Sequence, residues 1–256
     1  MKIDSISLKS STIAIFVMIG LVAIALSLFA SNYFKRAALN AQMTSLSRVI
    51  EVASIEVFTK IKNHTFDFGS KLAHNPDLLQ ATKRHLKNEG NGELSQLLDD
   101  PFINGFVGFS KIDLKKLRIY DLQLKLISQS NMGVSDLDDQ AAPYIRSTIS
   151  NRGKTDRLKA VQALWASPQG PFYSLVVPLG GLRPIGYLEI IINPVFNFSG
   201  IGNITNTPVH IHTMSGELLN ENSQQFADDH LPIEFLIRAS DETPLFKVVS
   251  YENIAT

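Results

Sequence analysis

Cysteine is absent from the 256 residues. That excludes disulfide scaffolds, thiolate zinc sites, iron–sulfur clusters and cysteine nucleophiles. An excess of either charge is also missing. The 24 Lys and Arg balance the 24 Asp and Glu, so the chain lacks the basic surface on which nucleic-acid affinity rests. Charged residues make up only 19%, while hydrophobic ones reach 45%, an apolar share ordinary for a folded protein and opposed to wholesale disorder. The signatures of common chemistries are missing too. There is no Gly-x4-Gly-Lys-Ser/Thr phosphate loop, no Gly-x-Gly-x-x-Gly after a strand, no His-Glu-x-x-His and no Gly-x-Ser-x-Gly elbow. Neither a cofactor nor a catalytic residue is expected from these residues.

What the sequence does contain is one long apolar run. No charged residue occurs from Ser10 to Phe34, and a helix needs about 20 apolar residues to cross a hydrocarbon core. Lys9 bounds the run on one side, Lys35 and Arg36 on the other, with Tyr33 and Phe34 at an interfacial position. The run is longer than a signal-peptide core, and Leu28-Phe29-Ala30 is a poor small-x-small cleavage site. An uncleaved anchor over residues 10–34 is expected, with the lipid bilayer as its partner. Lys2 and Lys9 before it and Lys35, Arg36 and Arg48 after it leave the positive-inside count undecided.

Beyond the anchor, Leu39, Met43, Leu46, Ile50, Ala53 and Val57 recur at alternating spacings of four and three. That is the a/d pattern of a coiled-coil seam. It fits a juxtamembrane stalk in a parallel homodimer, or a helix packed on its own domain. A second helical stretch covers residues 66–86, broken at Asn75-Pro76-Asp77, with Asn75 as N-cap and Pro76 at the first helical position. Gly90-Asn91-Gly92 marks a loop.

From about residue 103 the period changes towards strands. Leu117–Tyr120 and Lys125–Ser128 flank a turn at Asp121. A helix is expected over residues 140–149, ended by Asn151-Arg152-Gly153. Residues 160–165 and 171–179 read as strands, 180–184 as a hairpin loop, and 185–192 as the return strand ended by Pro194. Helices followed by an antiparallel meander describe an α+β chain. Arg118–Gln129 also aligns without a gap on His210–Glu221. If this is a repeat, a smaller copy of the sheet begins near Pro208, with residues 244–251 as its later strand.

This order, and the phrases Leu117–Ser130, Phe172–Ile192 and Val209–Asn222, resemble the extracytoplasmic sensor of bacterial transmembrane receptors of the double Cache (tandem PAS-like) type. The resemblance covers residues 35–256. It implies an extracytoplasmic domain on the inner membrane with a long stalk helix. A membrane-distal PAS-like module (35–200) would hold a small ligand, and a smaller membrane-proximal module (201–256) would follow. Residues 1–9 would be cytoplasmic. Such receptors continue into a second membrane helix and a cytoplasmic signalling domain. Neither is in this sequence, so a truncated chain or a fragment is expected. The Arg-x-Trp-Tyr pattern of amino-acid-binding members is also missing around Trp165, which speaks against an amino-acid ligand.

A pocket for a small polar or anionic molecule needs aromatic walls and convergent polar groups. The candidates are Trp165 and Tyr173 as walls across the Ser167–Gly170 turn, Arg146 and Tyr144 as polar contacts, and Tyr120. Each also reads as ordinary packing or as a surface residue. His210 and His212 share a strand face, but no third metal ligand lies nearby in sequence, and no metal is expected. Asp99-Asp100 and Asp138-Asp139 read as loop acids or helix caps. Besides a ligand-sensing domain, an anchored scaffold without a small ligand and a single-pass anchored enzyme remain open.

Overall fold

The computed structural model describes residues 5–89, 92–104, 111–205, 207–221 and 230–253. The expected loop at residues 90–92 falls largely outside them. The chain divides into two compact units, Met1–Arg48 and Val49–Thr256.

In the first unit the described residues belong to helix α1 (Ser5–Ala73). The apolar run is helical throughout, and its side chains are bare: Phe16 is 71% exposed, Leu21 63% and Phe29 72%. One helix among the described residues is long and apolar enough to cross a membrane, and none of its apolar window is buried. Such a surface is stable in lipid and costly in water, at roughly 25 cal/mol per Å² of apolar area.

The second unit begins with the rest of α1. Ile50, Ala53, Val57 and Ile61 are buried there, at 5% exposure or less. The expected dimer seam is therefore occupied over its last three positions by the domain's own core; Leu39, Met43 and Leu46 are half-buried. A helix in a sandwich-like layer and a helix in a coiled coil carry the same short apolar stripe, so spacing alone did not separate the two.

Helix α2 (Pro76–Leu86) starts as its sequence dictates: the Asn75 side-chain oxygen accepts the Asp77 and Leu78 amides at 2.8 and 3.2 Å, satisfying two donors that a helix start leaves open. Helix α3 (Glu93–Asn104) follows. It contains Asp99 and Asp100, which are thus helical residues and not loop acids.

Strands β1 (Asp113–Tyr120), β2 (Leu126–Gln129), β3 (Val161–Ser167), β4 (Gly170–Leu179) and β5 (Gly186–Asn193) form one antiparallel sheet in the order β2-β1-β5-β4-β3. The β1–β2 turn is closed by Asp121, whose Oδ1 accepts the Gln123 and Lys125 amides. Helix α4 (Pro143–Asn151) and a long irregular segment before it, residues 130–142, cover one face. Helix α1 covers the other. There Phe58 meets Tyr173 edge-on at 5.7 Å, and Gly69 lies so close to the sheet that a Cβ would come within 2.8 Å of Ile190 Cδ1.

Short helices α5 (Val195–Phe198) and α6 (Ile201–Thr205) lead to a second sheet of β6 (Val209–Thr213), β7 (Leu218–Glu221), β8 (His230–Arg238) and β9 (Pro244–Asn253), in the order β7-β6-β9-β8. The repeat seen in the sequence holds at the level of register. Arg118 pairs with Gln129 and Ile119 with Ser128, then a bulge shifts Tyr120 onto Leu126. In the second sheet His210 pairs with Glu221 and Ile211 with Asn220, then the same shift places His212 opposite Leu218. Among the described residues the second sheet is smaller by one strand.

Candidate functional site

Alternation along β1 puts Lys116, Arg118 and Tyr120 on one face of the first sheet. In the neighbouring strand Ile191, Glu189 and Tyr187 stand opposite them in register. Ser174 and Val176 continue this face across β4, and Ala163 and Trp165 across β3. α4 closes it with Ile145 and Ile149, and the segment 130–142 with Val134, Leu137, Ala141 and Ala142.

Beneath that cover lies a charged set in an otherwise apolar interior. Lys116 is 3% exposed, Arg118 1% and Glu189 0%. Arg118 donates from Nε to Gln129 Oε1 at 3.3 Å, from Nη1 to the Tyr120 hydroxyl at 3.5 Å, and from Nη2 to the Leu137 carbonyl at 3.2 Å. Tyr120 in turn donates to Glu189 Oε2 at 2.8 Å. Arg118 Nη1 is 3.9 Å from the same oxygen, an ion pair without a direct hydrogen bond. Glu189 Oε1 is buried and has no partner. Lys116 Nζ reaches the Met132 carbonyl at 3.4 Å.

Burial dominates the electrostatics. It pushes the Glu189 carboxyl above the usual range, opposed by the Arg118 charge and by the Tyr120 and Ser174 hydroxyls. It pushes the Tyr120 phenol up, helped by the neighbouring Glu189 charge. It lowers the Lys116 ammonium, as does repulsion from Arg118, against the attraction of Asp99. A buried set of this kind is either a costly structural network or a binding surface waiting for a partner.

Of the residues expected at a site, Tyr120 and Trp165 lie on this face. Trp165 donates from its indole to Ser174 Oγ at 2.9 Å and leans on Phe172 at 5.3 Å between ring centroids. Tyr173 does not join them. Adjacent residues of a strand point to opposite faces, so Phe172 and Ser174 take the Trp165 side while Tyr173 faces α1 and donates to Gln162 Oε1 at 2.9 Å. Trp165 and Tyr173 therefore do not wall one cavity. Tyr144 and Arg146 are exposed on α4, whose inward residues are Ile145 and Ile149; Arg146 donates to Gln140.

Sequence reasoning missed Lys116, Arg118 and Glu189. Their signal was present: Glu189 interrupts a strand that is otherwise apolar up to Ile192, and Lys116 and Arg118 keep the period of two with Tyr120. A cleft of about 220 Å³ opens beside the cover, lined by Lys115, Val134, Gln169, Phe172, Asn193 and Leu219 among others. In the second sheet the His210 and His212 rings are 6.0 Å apart. Among the described residues no three His, Asp or Glu side chains group as metal ligands.

No family model matches the chain, and no curated protein matches it in sequence. Solved structures do match. The sensor domain of the Vibrio cholerae histidine kinase DctB aligns over 84% of this chain and 98% of its own, at 10% identity and a TM-score of 0.50. A sensory box/GGDEF family domain from Vibrio parahaemolyticus aligns over 82% and 96%, at 12% identity and 0.48. The periplasmic domain of Vibrio cholerae LuxQ aligns over 81% and 97%, at 11% identity and 0.45. The chain thus shares with the DctB sensor domain an α+β fold of a long N-terminal helix and antiparallel sheets.

Proposed function

We propose that this chain is the membrane-anchored, extracytoplasmic ligand-sensing part of a bacterial signal-transduction receptor, and that the domain itself is non-catalytic. Likeness of fold leaves function open, so the site has to carry the reading. The observation that carries it is the buried set of Lys116, Arg118 and Glu189 beneath α4 and residues 130–142, with Glu189 Oε1 unpartnered. Apolar residues of similar volume would stabilise that interior at least as well. Two buried cations beside one weakly paired carboxylate are suited to a small polar or anionic molecule.

The site has a short route to the long helix. Glu189 points to the ligand face, and its neighbour Ile190 packs on Gly69 of α1. A ligand that favours one arrangement of this sheet shifts the population of α1 positions. Micromolar binding makes about 8 kcal/mol available, of which a coupling of about 1–3 suffices for switching. The apolar part of α1 lies in the inner membrane, with residues 1–9 cytoplasmic and the domain outside. The receptor works as a homodimer of parallel α1 helices.

Thermal-shift screening of the full chain in detergent against organic acids, amines and nucleosides tests this reading. At least one class raises the melting temperature of the wild type, and Lys116→Met weakens that response. If nothing shifts the wild type, the domain is a scaffold.

A further inference from the structure

The first sheet has a second hollow on the side that faces α1, away from Lys116 and Arg118. Phe66, Ser70, Ala73 and His74 recur at i, i+4, i+7 and i+8 and form one stripe at the end of α1. Facing them are Val177 of β4, Leu158 before β3 and Leu182 in the β4–β5 loop. Val176 packs under α4 on the other face, so Val177 takes the α1 side by alternation. Helix and sheet meet closely at Gly69, where a Cβ would lie 2.8 Å from Ile190 Cδ1 and 3.3 Å from Leu175 Cδ2. Next to that contact they leave a cavity of about 320 Å³. Three of its apolar side chains stay exposed, Phe66 at 48%, Leu158 at 40% and Leu182 at 80%. Covering them would be favourable in water.

We infer that this cavity binds a small neutral alcohol or phenol, with its hydrocarbon body against the apolar wall and its hydroxyl on His74 and Ser70. An apolar cavity of about 150 Å³ takes benzene, so this one has room for a ring and a short chain, about ten non-hydrogen atoms. Charge is excluded by the lining, which contains no Asp, Glu, Lys or Arg. Lys159, next to Leu158 in sequence, is paired with Asp156 at 2.7 Å. An anion taken inside would lose water and gain no cation. The hydroxyl follows from His74. Its Nδ1 lies 2.7 Å from the Ser70 carbonyl, and a carbonyl only accepts, so Nδ1 carries the proton. In the neutral ring Nε2 then offers a lone pair, and the Ser70 hydroxyl can donate or accept beside it.

This site goes beyond the sensing role proposed above and lies on the opposite face of the sheet. Its occupant bridges α1 and β4, so binding favours the arrangement of α1 in which the cavity is open.

The chain has no cysteine, so Leu158→Cys places a single thiol in the cavity wall. Maleimide labelling of that full chain in lipid nanodiscs reads occupancy. The probe is hydrocinnamyl alcohol, titrated by its free aqueous concentration. At saturation it slows labelling of Leu158→Cys by about tenfold and leaves Leu122→Cys, in the β1–β2 turn, unchanged. His74→Phe in the Leu158→Cys chain raises the half-protecting concentration by about tenfold, the loss of one hydrogen bond. Hydrocinnamate, the matching carboxylate, does not protect. Lys116→Met leaves the protection as it is, so failure of the sensing role would not touch this site. Leu182→Cys is the second reporter should Leu158→Cys fail to fold. The inference is overturned if the alcohol protects neither thiol, if it slows Leu122→Cys equally, or if hydrocinnamate protects as well as the alcohol. An unchanged half-protecting concentration in His74→Phe overturns the hydroxyl contact, and loss of protection in Lys116→Met overturns a separate site.

Discussion

Glu189 shows how much a single buried acid constrains this protein. It sits on a central strand and accepts a hydrogen bond from Tyr120, while its other oxygen has no partner in bonding geometry, although the Ser174 hydroxyl also favours the charged form. Burial raises its carboxyl above the ordinary value, so the folded state holds the proton more tightly than the unfolded chain does. The stabilising contribution is fully present below about pH 4.3, the ordinary Glu value, and is lost as pH rises through the raised folded value. Glu189→Gln removes that titration and keeps the shape. Denaturant titrations of both proteins across the acid-to-neutral range should therefore diverge in one direction: the variant gains relative to the wild type as pH rises. A difference that is flat, or that falls with pH, would mean the carboxylate is better paired in the fold than in water. The same residue explains part of what stayed hidden in the sequence. A lone Glu in an apolar strand reads as an edge position, and only the pairing with Arg118 across β1 and β5 shows it to be central. Trp165 and Tyr120 were named from the sequence, and both lie on the sheet face that carries Arg118 and Glu189. Tyr173 was not correctly placed, because its position one residue past Phe172 put it on the opposite face.

At the scale of elements, α1 carries two apolar stripes beyond the membrane run, and they do different things. Ile50, Ala53, Val57 and Ile61 are buried by the domain. Val52 and Ile55 remain 65% and 60% exposed, and Phe66 48%. With Thr59 between them these fall at spacings of three, four and seven, the period of a helix seam. The homodimer we propose uses this outer stripe in place of the expected inner one. Val52→Glu combined with Ile55→Glu should abolish disulfide crosslinking of a cysteine introduced at Thr59 in membranes, while the unfolding free energy of the detergent-solubilised chain stays within the range of ordinary surface changes, about 0.5 kcal/mol. Crosslinking that persists in the double variant excludes this face. The element pattern was otherwise largely legible. Asn75-Pro76 announced a helix start, Asp121 a hairpin, and the gapless alignment of residues 118–129 on 210–221 a repeated register. These signals are local, set by caps, turns and alternation. The stripes on α1 were ambiguous because which side of a helix meets a sheet is decided by residues far away, such as Ile190 and Leu175 against Gly69.

At the scale of the whole chain, the question is which compartment holds each unit. The helix supplies an apolar run with fully bared side chains, which lipid must cover. Three basic residues follow this run closely, against two before it, a bias too small to orient an anchor when a large domain lies on one side. The orientation we propose rests on the domain. Its α+β fold is shared with the sensor domain of the histidine kinase DctB, and the receptor role proposed above requires that it face the surroundings. We expect residues beyond the anchor to lie outside the inner membrane and residues 1–9 inside. Protease added to intact spheroplasts should then digest a tag fused after Thr256 and spare a tag fused before Met1. Lysed cells should lose both. Full protection of the later tag in intact spheroplasts would place the domain in the cytoplasm. A small molecule from outside the cell would then reach the buried face of Lys116 and Arg118 only through the cell interior, and the chain would report on metabolites instead of surroundings.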